Sequence, residues 1–299
     1  MAITHIDHVL IAVPDLEEAS RQFARLGFHL TGGGVHPGRG TANRLAVLDP
    51  EYLELITVTQ PEDAWPDLVA FLQQYGSGIY NFALASDDLD ADVAAFRQRA
   101  AEGLTDLRPE EPWDGALVTP GGRRRGWRAA SVRGGGATHP FLIQHDSTGA
   151  EKLARLAGDG ELKPHPAGYV SISRISVAFP TLEQGVAYFR EGYGLQPAGE
   201  PSVCRARQAD RVFFPLEYGA IEVLAPQSPE SPVARLVAER GSGVEGLVLT
   251  VPDTAAAAAR LARAGIAVER RSSGLVVVDP KDALGVNLRL SSGPAVPSV

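Results

Sequence analysis

A single cysteine, Cys204, among 299 residues removes whole classes of chemistry. One thiol forms no intramolecular disulfide and no cysteine-based zinc or iron–sulfur site. With no base near it in sequence, Cys204 reads as a small buried residue rather than a nucleophile. Lysine is nearly as scarce, with Lys152, Lys163 and Lys281 the only three. Acidic residues outnumber basic ones 36 to 28, a net charge of -8, which argues against nucleic-acid or anionic-membrane partners because both need clustered positive charge. No apolar run approaches the ~20 residues that span a bilayer. The opening Met-Ala-Ile-Thr-His-Ile-Asp-His has no basic region followed by an apolar stretch, so no secretion signal is expected. Arginine-rich, lysine-poor usage looks like GC-rich coding, and the expectation is a bacterial cytoplasmic protein.

The remaining composition, 44% hydrophobic and 21% charged, is that of a globular protein, and 299 residues suffice for two domains at roughly 150 each. A weak internal repeat then sets the architecture. Residues His8 to Leu16 read as a strand, closed by Pro14-Asp15 at a helix start, and Leu16, Ala19, Phe23 and Leu26 follow at helical spacing before the stop at Gly27. The same grammar returns at Asn81 to Leu89, Arg174 to Leu182 and Gly246 to Thr254. With helix starts at Pro14, Asp87, Pro180 and Pro252, a bulky apolar residue stands nine positions later each time: Phe23, Phe96, Phe189 and Leu261. Strand-like segments follow each helix, among them Leu30–Thr31, Arg44–Leu48, Tyr52–Val58, Gly126–Val132 and Pro140–Gln144. The predicted fold is α+β: four βαβββ modules paired into two cup-shaped mixed sheets with helices on their outer faces. Expected domains are 1–148 and 169–299, joined by a linker, 149–168, with a short helix near 150–156.

This pattern resembles the vicinal oxygen chelate superfamily, which holds glyoxalase I, extradiol dioxygenases and bleomycin-resistance proteins, and more narrowly the bacterial glyoxalase-like domain proteins. The resemblance rests on Ile6-Asp7-His8-Val9, on His36-Pro37-Gly38-Arg39-Gly40-Thr41-Ala42-Asn43, on Tyr52-Leu53-Glu54-Leu55 and on Pro140-Phe141-Leu142-Ile143-Gln144. It covers about residues 4–178. It implies a cup that holds a divalent metal, with ligands from the first and last strands of two paired modules, and a lyase, isomerase or dioxygenase acting on a carbonyl or vicinal-oxygen metabolite. Such a fold does not fix the reaction. The alternative it also implies is non-catalytic sequestration of a small molecule, as in bleomycin-resistance proteins.

Carried onto this chain, the four inward positions are His8, Glu54, Asn81 and Gln144. His8 and Glu54 suit a divalent ion, with His36 the candidate for a third ligand. They equally suit a metal-free acid–base pair, since Asn81 and Gln144 are neutral amides that would orient a polar substrate instead. Strand alternation puts Glu54 on one face with Tyr52 and Ile56, and Leu53 and Leu55 on the other. By the same rule His145 should point away from the cup. His36, Arg39 and Asn43 are placed at the cup mouth, on a glycine-rich loop that lacks the Gly-Lys-Ser/Thr of a phosphate loop. Tyr52 and Trp127 are candidates to contact an aromatic ligand. The run Arg123-Arg124-Arg125 reads as a solvated stretch or as an anion site. In the second half the corresponding positions, Arg174, Glu222, Gly246 and Arg289, exclude a metal site and predict a salt-bridge cluster with a scaffold or homodimerisation role for that half, an anion pocket being the alternative.

Overall fold

The computed structural model describes residues 3–134 and 139–296; the outermost residues of the expected domains, 1–2 and 297–299, lie outside them. The first half runs β1 (Ile3–Ala12), α1 (Leu16–Arg25), β2 (Gly34–His36), β3 (Thr41–Val47), β4 (Tyr52–Val58), α2 (Pro66–Tyr75), β5 (Gly78–Ser86) and α3 (Leu89–Ala101). It continues with β6 (Arg108–Pro109), β7 (Trp113–Val118), β8 (Arg124–Ala130), β9 (Val132–Arg133), β10 (Phe141–His145) and α4 (Gly149–Ala157). The second half comprises β11 (Ser171–Ala178), α5 (Leu182–Ala187), β12 (Ala198–Cys204), β13 (Ala209–Pro215), β14 (Ala220–Pro226) and α6 (Pro232–Arg240). It ends with β15 (Gly243–Thr250), α7 (Thr254–Arg263), β16 (Val268–Arg270), β17 (Val276–Val278) and β18 (Leu288–Ser291). The fold is α+β and built from four βαβββ modules.

Each module helix starts two residues beyond the expected position, and the residue between supplies an oxygen that caps a free backbone N–H. Asp15 accepts from Glu18, Asp88 from Ala91, Thr181 from Gln184, and Asp253 from Ala255 and Ala256. The four spaced apolar residues are all sealed: Phe23 is 2% exposed, and Phe96, Phe189 and Leu261 are 0%. They join one apolar core that draws on helices and strands of both halves, from Ile6 to Leu290. Inside it α3 of the first half meets the segment that follows α5 in the second. Phe96 packs edge-on to Tyr193 at 4.9 Å, and Arg99 Nε donates to the Gly192 carbonyl.

Where the sheets differ is closure. The first two modules form a barrel in the order β1-β4-β3-β2-β7-β8-β10-β5, whereas the last two form an open eight-stranded sheet, β12-β13-β14-β11-β15-β18-β17-β16. The barrel closes where β2 meets β7 through Val35 and Val118. That approach needs glycine: a Cβ on Gly34 would stand 2.4 Å from the Val118 carbonyl oxygen.

Three sequence expectations need correction. The glycine-rich stretch is not a free loop, because Gly34–His36 is a strand paired to β3, and no strand forms at Leu30–Thr31. Helices α2 and α6 lie outside the repeat grammar; both open on a proline at the first turn, Pro66 and Pro232. Helix α4 spans 149–157, close to the expected 150–156. Its Leu156 packs against Leu45 and Tyr52, so the segment between the halves plugs the base of the barrel.

Candidate functional site

The barrel's polar centre is created by an irregularity in its first strand. Along β1, Ile6 pairs with Leu84 but His8 pairs with Ala83, so two steps on β1 oppose one on β5. This bulge at Asp7 re-aims the strand. Ile6 enters the apolar core under the helices, while His8 and then Leu10 line the barrel cavity. Asp7 is fully buried, and its carboxylate gathers three donors: His8 Nδ1 at 2.7 Å, His145 Nε2 at 3.1 Å and Lys152 Nζ at 2.6 Å. Burial alone drives the Asp7 carboxyl upward, but His145, His8 and Lys152 hold it well below the usual carboxylate range.

Glu54 enters from β4, on the face shared with Tyr52 and Ile56, and Leu53 and Leu55 point to the helices as alternation predicts. Its Oε2 stands 3.4 Å from His8 Nε2, and its Oε1 accepts from Asn43 Nδ2 at 2.7 Å and lies 3.7 Å from His36 Nε2. Tyr52 stacks on the His8 ring with centroids 4.5 Å apart, and Phe141 meets that ring edge-on at 5.5 Å. His36 is anchored through Nδ1 to Thr41 Oγ1 at 2.9 Å. Burial lowers its pKa, partly offset by Glu54, so at neutral pH it is an uncharged imidazole. The cavity is small, about 40 Å³, and Arg39, Arg125 and Trp127 also line it.

His8, Glu54, His36, Asn43, Tyr52, Arg39 and Trp127 are therefore brought together, and Asn81 and Gln144 are not among them. Asn81 lines an outer cleft that continues from the cavity, with its amide already engaged: Nδ2 donates to the His139 carbonyl and Oδ1 accepts from Phe82 N. Gln144 faces outward, where Nε2 donates to the Asp87 carbonyl and Oε1 accepts from Leu89 N at the start of α3. The expected facing on β10 is thus reversed. Phe141 and Ile143 line the cavity, and His145, expected outside, is the inward residue that reaches Asp7.

Register gives the reason. Ala83, opposite His8, pairs with Phe141; Val248, opposite Arg174, pairs with Arg289. The first-cup counterpart of Arg289 is Phe141, three residues before Gln144. Sequence reasoning also missed Asp7, His145, Lys152, Trp65 and Trp113. Of these, Asp7 was adjacent to His8 but hidden by the bulge. Arg125 is not part of a solvated run: it is 5% exposed, while Arg124 is exposed.

The divalent metal implied by the family resemblance can be tested on these donors. His8 and Glu54 converge, but the fourth strand offers Phe141, and Asn81 spends its amide on backbone. The Asn43 amide N–H₂ faces both the Glu54 Oε1 and the His36 Nε2 lone pairs that a metal would need, while Asn43 Oδ1 stays buried without a partner. Among the described residues no group of three or more His, Cys, Asp or Glu side chains is placed to hold a metal ion. The donor set does not fit one.

Comparison with known proteins agrees with the modular fold. A family described as a glyoxalase-like domain matches residues 6–180. A hypothetical protein from Staphylococcus aureus superposes over 96% of this chain and 98% of its own, with a TM-score of 0.63 and 14% identity. A triple mutant of 4-hydroxymandelate synthase from Streptomyces coelicolor superposes over 97% of this chain and 92% of its own, with a TM-score of 0.65 and 13% identity. Methylmalonyl-CoA epimerase from Mycobacterium tuberculosis matches 41% of this chain and 87% of its own, with a TM-score of 0.38 and 20% identity. No helix among the described residues is long and apolar enough to cross a membrane.

Proposed function

Since the chain belongs to the glyoxalase-like domain family, we propose that its barrel is the site of a small-molecule enzyme of the lyase or isomerase type, moving a proton next to a carbonyl by acid–base chemistry. The observation that carries this reading is the buried line Asp7–His8–Glu54. Asp7 accepts the Nδ1 proton of His8, which fixes the ring and leaves Nε2 facing Glu54 and the cavity. His8 Nε2 and Glu54 Oε2 are 3.4 Å apart without the alignment of a hydrogen bond, so either is free to engage a ligand.

In the step this supports, a C–H bond adjacent to a carbonyl yields its proton to His8 Nε2 and its electron pair to the carbonyl, giving an enolate. Asp7 stabilises the imidazolium formed, and Glu54, held by Asn43, keeps the proton near until it returns to carbon or oxygen. Tyr52 and Phe141 wall the ring on its face and edge and limit solvent there.

The test is solvent exchange. In D₂O, a panel of α-hydroxycarbonyl and dicarbonyl compounds should include one whose α-carbon gains deuterium with the wild-type protein and not with His8→Asn or Glu54→Gln. Exchange that persists in both variants would remove the reading. Sequestration of an aromatic compound is the second reading, favoured by the tryptophans around the cavity. Tight binding without exchange on any bound compound would establish it instead.

A further inference from the structure

Arg125 points into the barrel cavity with its Nε sealed from solvent and without an acceptor. Among the described residues no carboxylate pairs with it; ring faces surround it, Trp127 at 5.6 Å and Tyr52 at 5.8 Å. A cation buried without a counter-charge is unfavourable, and it persists where a ligand supplies the charge. The second half of the molecule shows the ordinary solution, since its buried Arg174 and its part-buried Arg207 and Arg289 each face a glutamate. Arg39, at the neck between the cavity and the outer cleft, likewise pairs with no carboxylate among the described residues, and its guanidinium lies over Trp113 at 4.2 Å. The cavity is thus lined by two arginines and one carboxylate, Glu54, which Asn43 already engages.

The apolar lining is equally one-sided. The chain has three tryptophans, Trp65, Trp113 and Trp127, and all three line this cavity. Room for them is built in: the Trp127 indole lies across Gly115, where a Cβ would come within 2.2 Å of Nε1. Ring walls and a cation recognise a flat anionic molecule, and the planar fork of an arginine matches a carboxylate.

We propose that the ligand of this site is an aromatic carboxylate, its anionic group docked on Arg125 and its ring lying among Trp113, Trp127 and Phe141. The choice of His8–Glu54 as the reacting end rests on the function proposed above; the anion site rests on Arg125 alone. Because every tryptophan lines the cavity, intrinsic fluorescence reports its occupancy directly. Phenylacetate should quench it with an affinity at least about tenfold tighter than its uncharged isostere phenylacetamide, and phenyl phosphate, a bulkier dianion beside Glu54, should bind more weakly than phenylacetate.

Arg125→Met should bind acid and amide alike, while Arg125→Lys should keep part of the preference. If Arg125→Met fails to fold, the wild-type comparison and Arg125→Lys still decide. Equal affinities for acid and amide in the wild type, an undiminished preference in Arg125→Met, or tighter binding of phenyl phosphate would each overturn the assignment. Arg125-dependent binding with no deuterium exchange on any carbonyl compound leaves the anion site standing and removes only the catalytic reading. Exchange on uncharged carbonyls as fast as on their carboxylate analogues does the reverse.

Discussion

The two halves of this protein place the same strands in the same register and fill the space between them in opposite ways. In the first, His8 pairs with Tyr52, and Glu54 follows two residues on; in the second, Arg174 pairs with Ala220, and Glu222 follows two residues on. Both first strands carry a bulge just before the paired residue, at Asp7 and at Ser173. The consequences diverge from there. Glu222 is fully buried and takes Arg207 Nη2 at 2.6 Å, Arg211 Nη1 at 3.3 Å and Ser176 Oγ at 2.6 Å, with Arg174 Nε at 3.8 Å. Burial drives its carboxyl upward, yet Arg207 and Arg174 prevail and bring it down to about 2. Arg289 belongs to the same assembly through Glu245, which Arg207 also contacts. The second hollow is occupied by the protein's own charges. In the first, His8 Nε2 and Glu54 Oε2 face a cavity, and Arg125 waits without a partner. One module pair is thus completed from within, and the other needs something from outside.

The sharpest way to break this contrast is to neutralise the matching glutamates. Glu54→Gln should lower turnover by about 10²–10⁴-fold while changing stability by less than about 1 kcal/mol, since the amide oxygen still accepts from Asn43. Glu222→Gln should do the opposite, costing about 3–5 kcal/mol in denaturant unfolding by stranding buried arginines and leaving turnover near wild type. Equal effects of the two changes on both readouts would erase the distinction. Asp7→Asn comes next: removing the charge shared by Lys152, His145 and His8 should cost about 3 kcal/mol, and Lys152→Met in the same chain should recover part of that loss.

The smallest expected effect concerns the seam between the halves. Glu51 donates no charge there at neutral pH. Its Oε2 accepts from the Ile172 N–H, and burial raises its carboxyl to about 8, against the opposing pull of that N–H. The folded state therefore holds a proton that the unfolded chain releases near its ordinary value. The stabilisation is complete below that value and is lost as pH rises through about 8. Thermal unfolding should fall by several degrees between pH 6 and pH 9, and Glu51→Gln should flatten the profile. An unchanged slope in that variant would assign the pH dependence elsewhere.

Much of the fold was legible because it repeats. Four capped helices with one large apolar residue at a constant offset leave few ways to arrange the strands between them, and those four residues are all buried. Glu54 was legible for the related reason that unbroken alternation along Tyr52–Val58 fixes its face. The misses at Asp7 and on β10 are both errors in which face of a strand a residue takes. The bulge at Asp7 brings a second carboxylate to His8, and nothing in Ile6-Asp7-His8 marks it. On β10 the equivalent position is Phe141 rather than Gln144, a shift of three residues that exchanges the facing of Gln144 and His145. Arg125 had a readable signal that its basic neighbours masked: two residues before Trp127 on a strand, it shares the tryptophan's face. In the second half, Arg174, Glu222 and Arg289 were expected to cluster: Arg174 meets Glu222 directly, but Arg289 joins them only through Glu245 and Arg207, which no repeat position singled out.

Hydrogen exchange with a bound compound tests most directly whether the barrel alone is the working hollow. Any small molecule that raises the unfolding temperature should slow amide exchange around His8, along Tyr52–Val58 and around Arg125 and Trp127. Exchange along Ser171–Ala178 and Ala220–Pro226 should stay as it was. Protection centred on Arg174 and Glu222, with the barrel strands unaffected, would contradict the account.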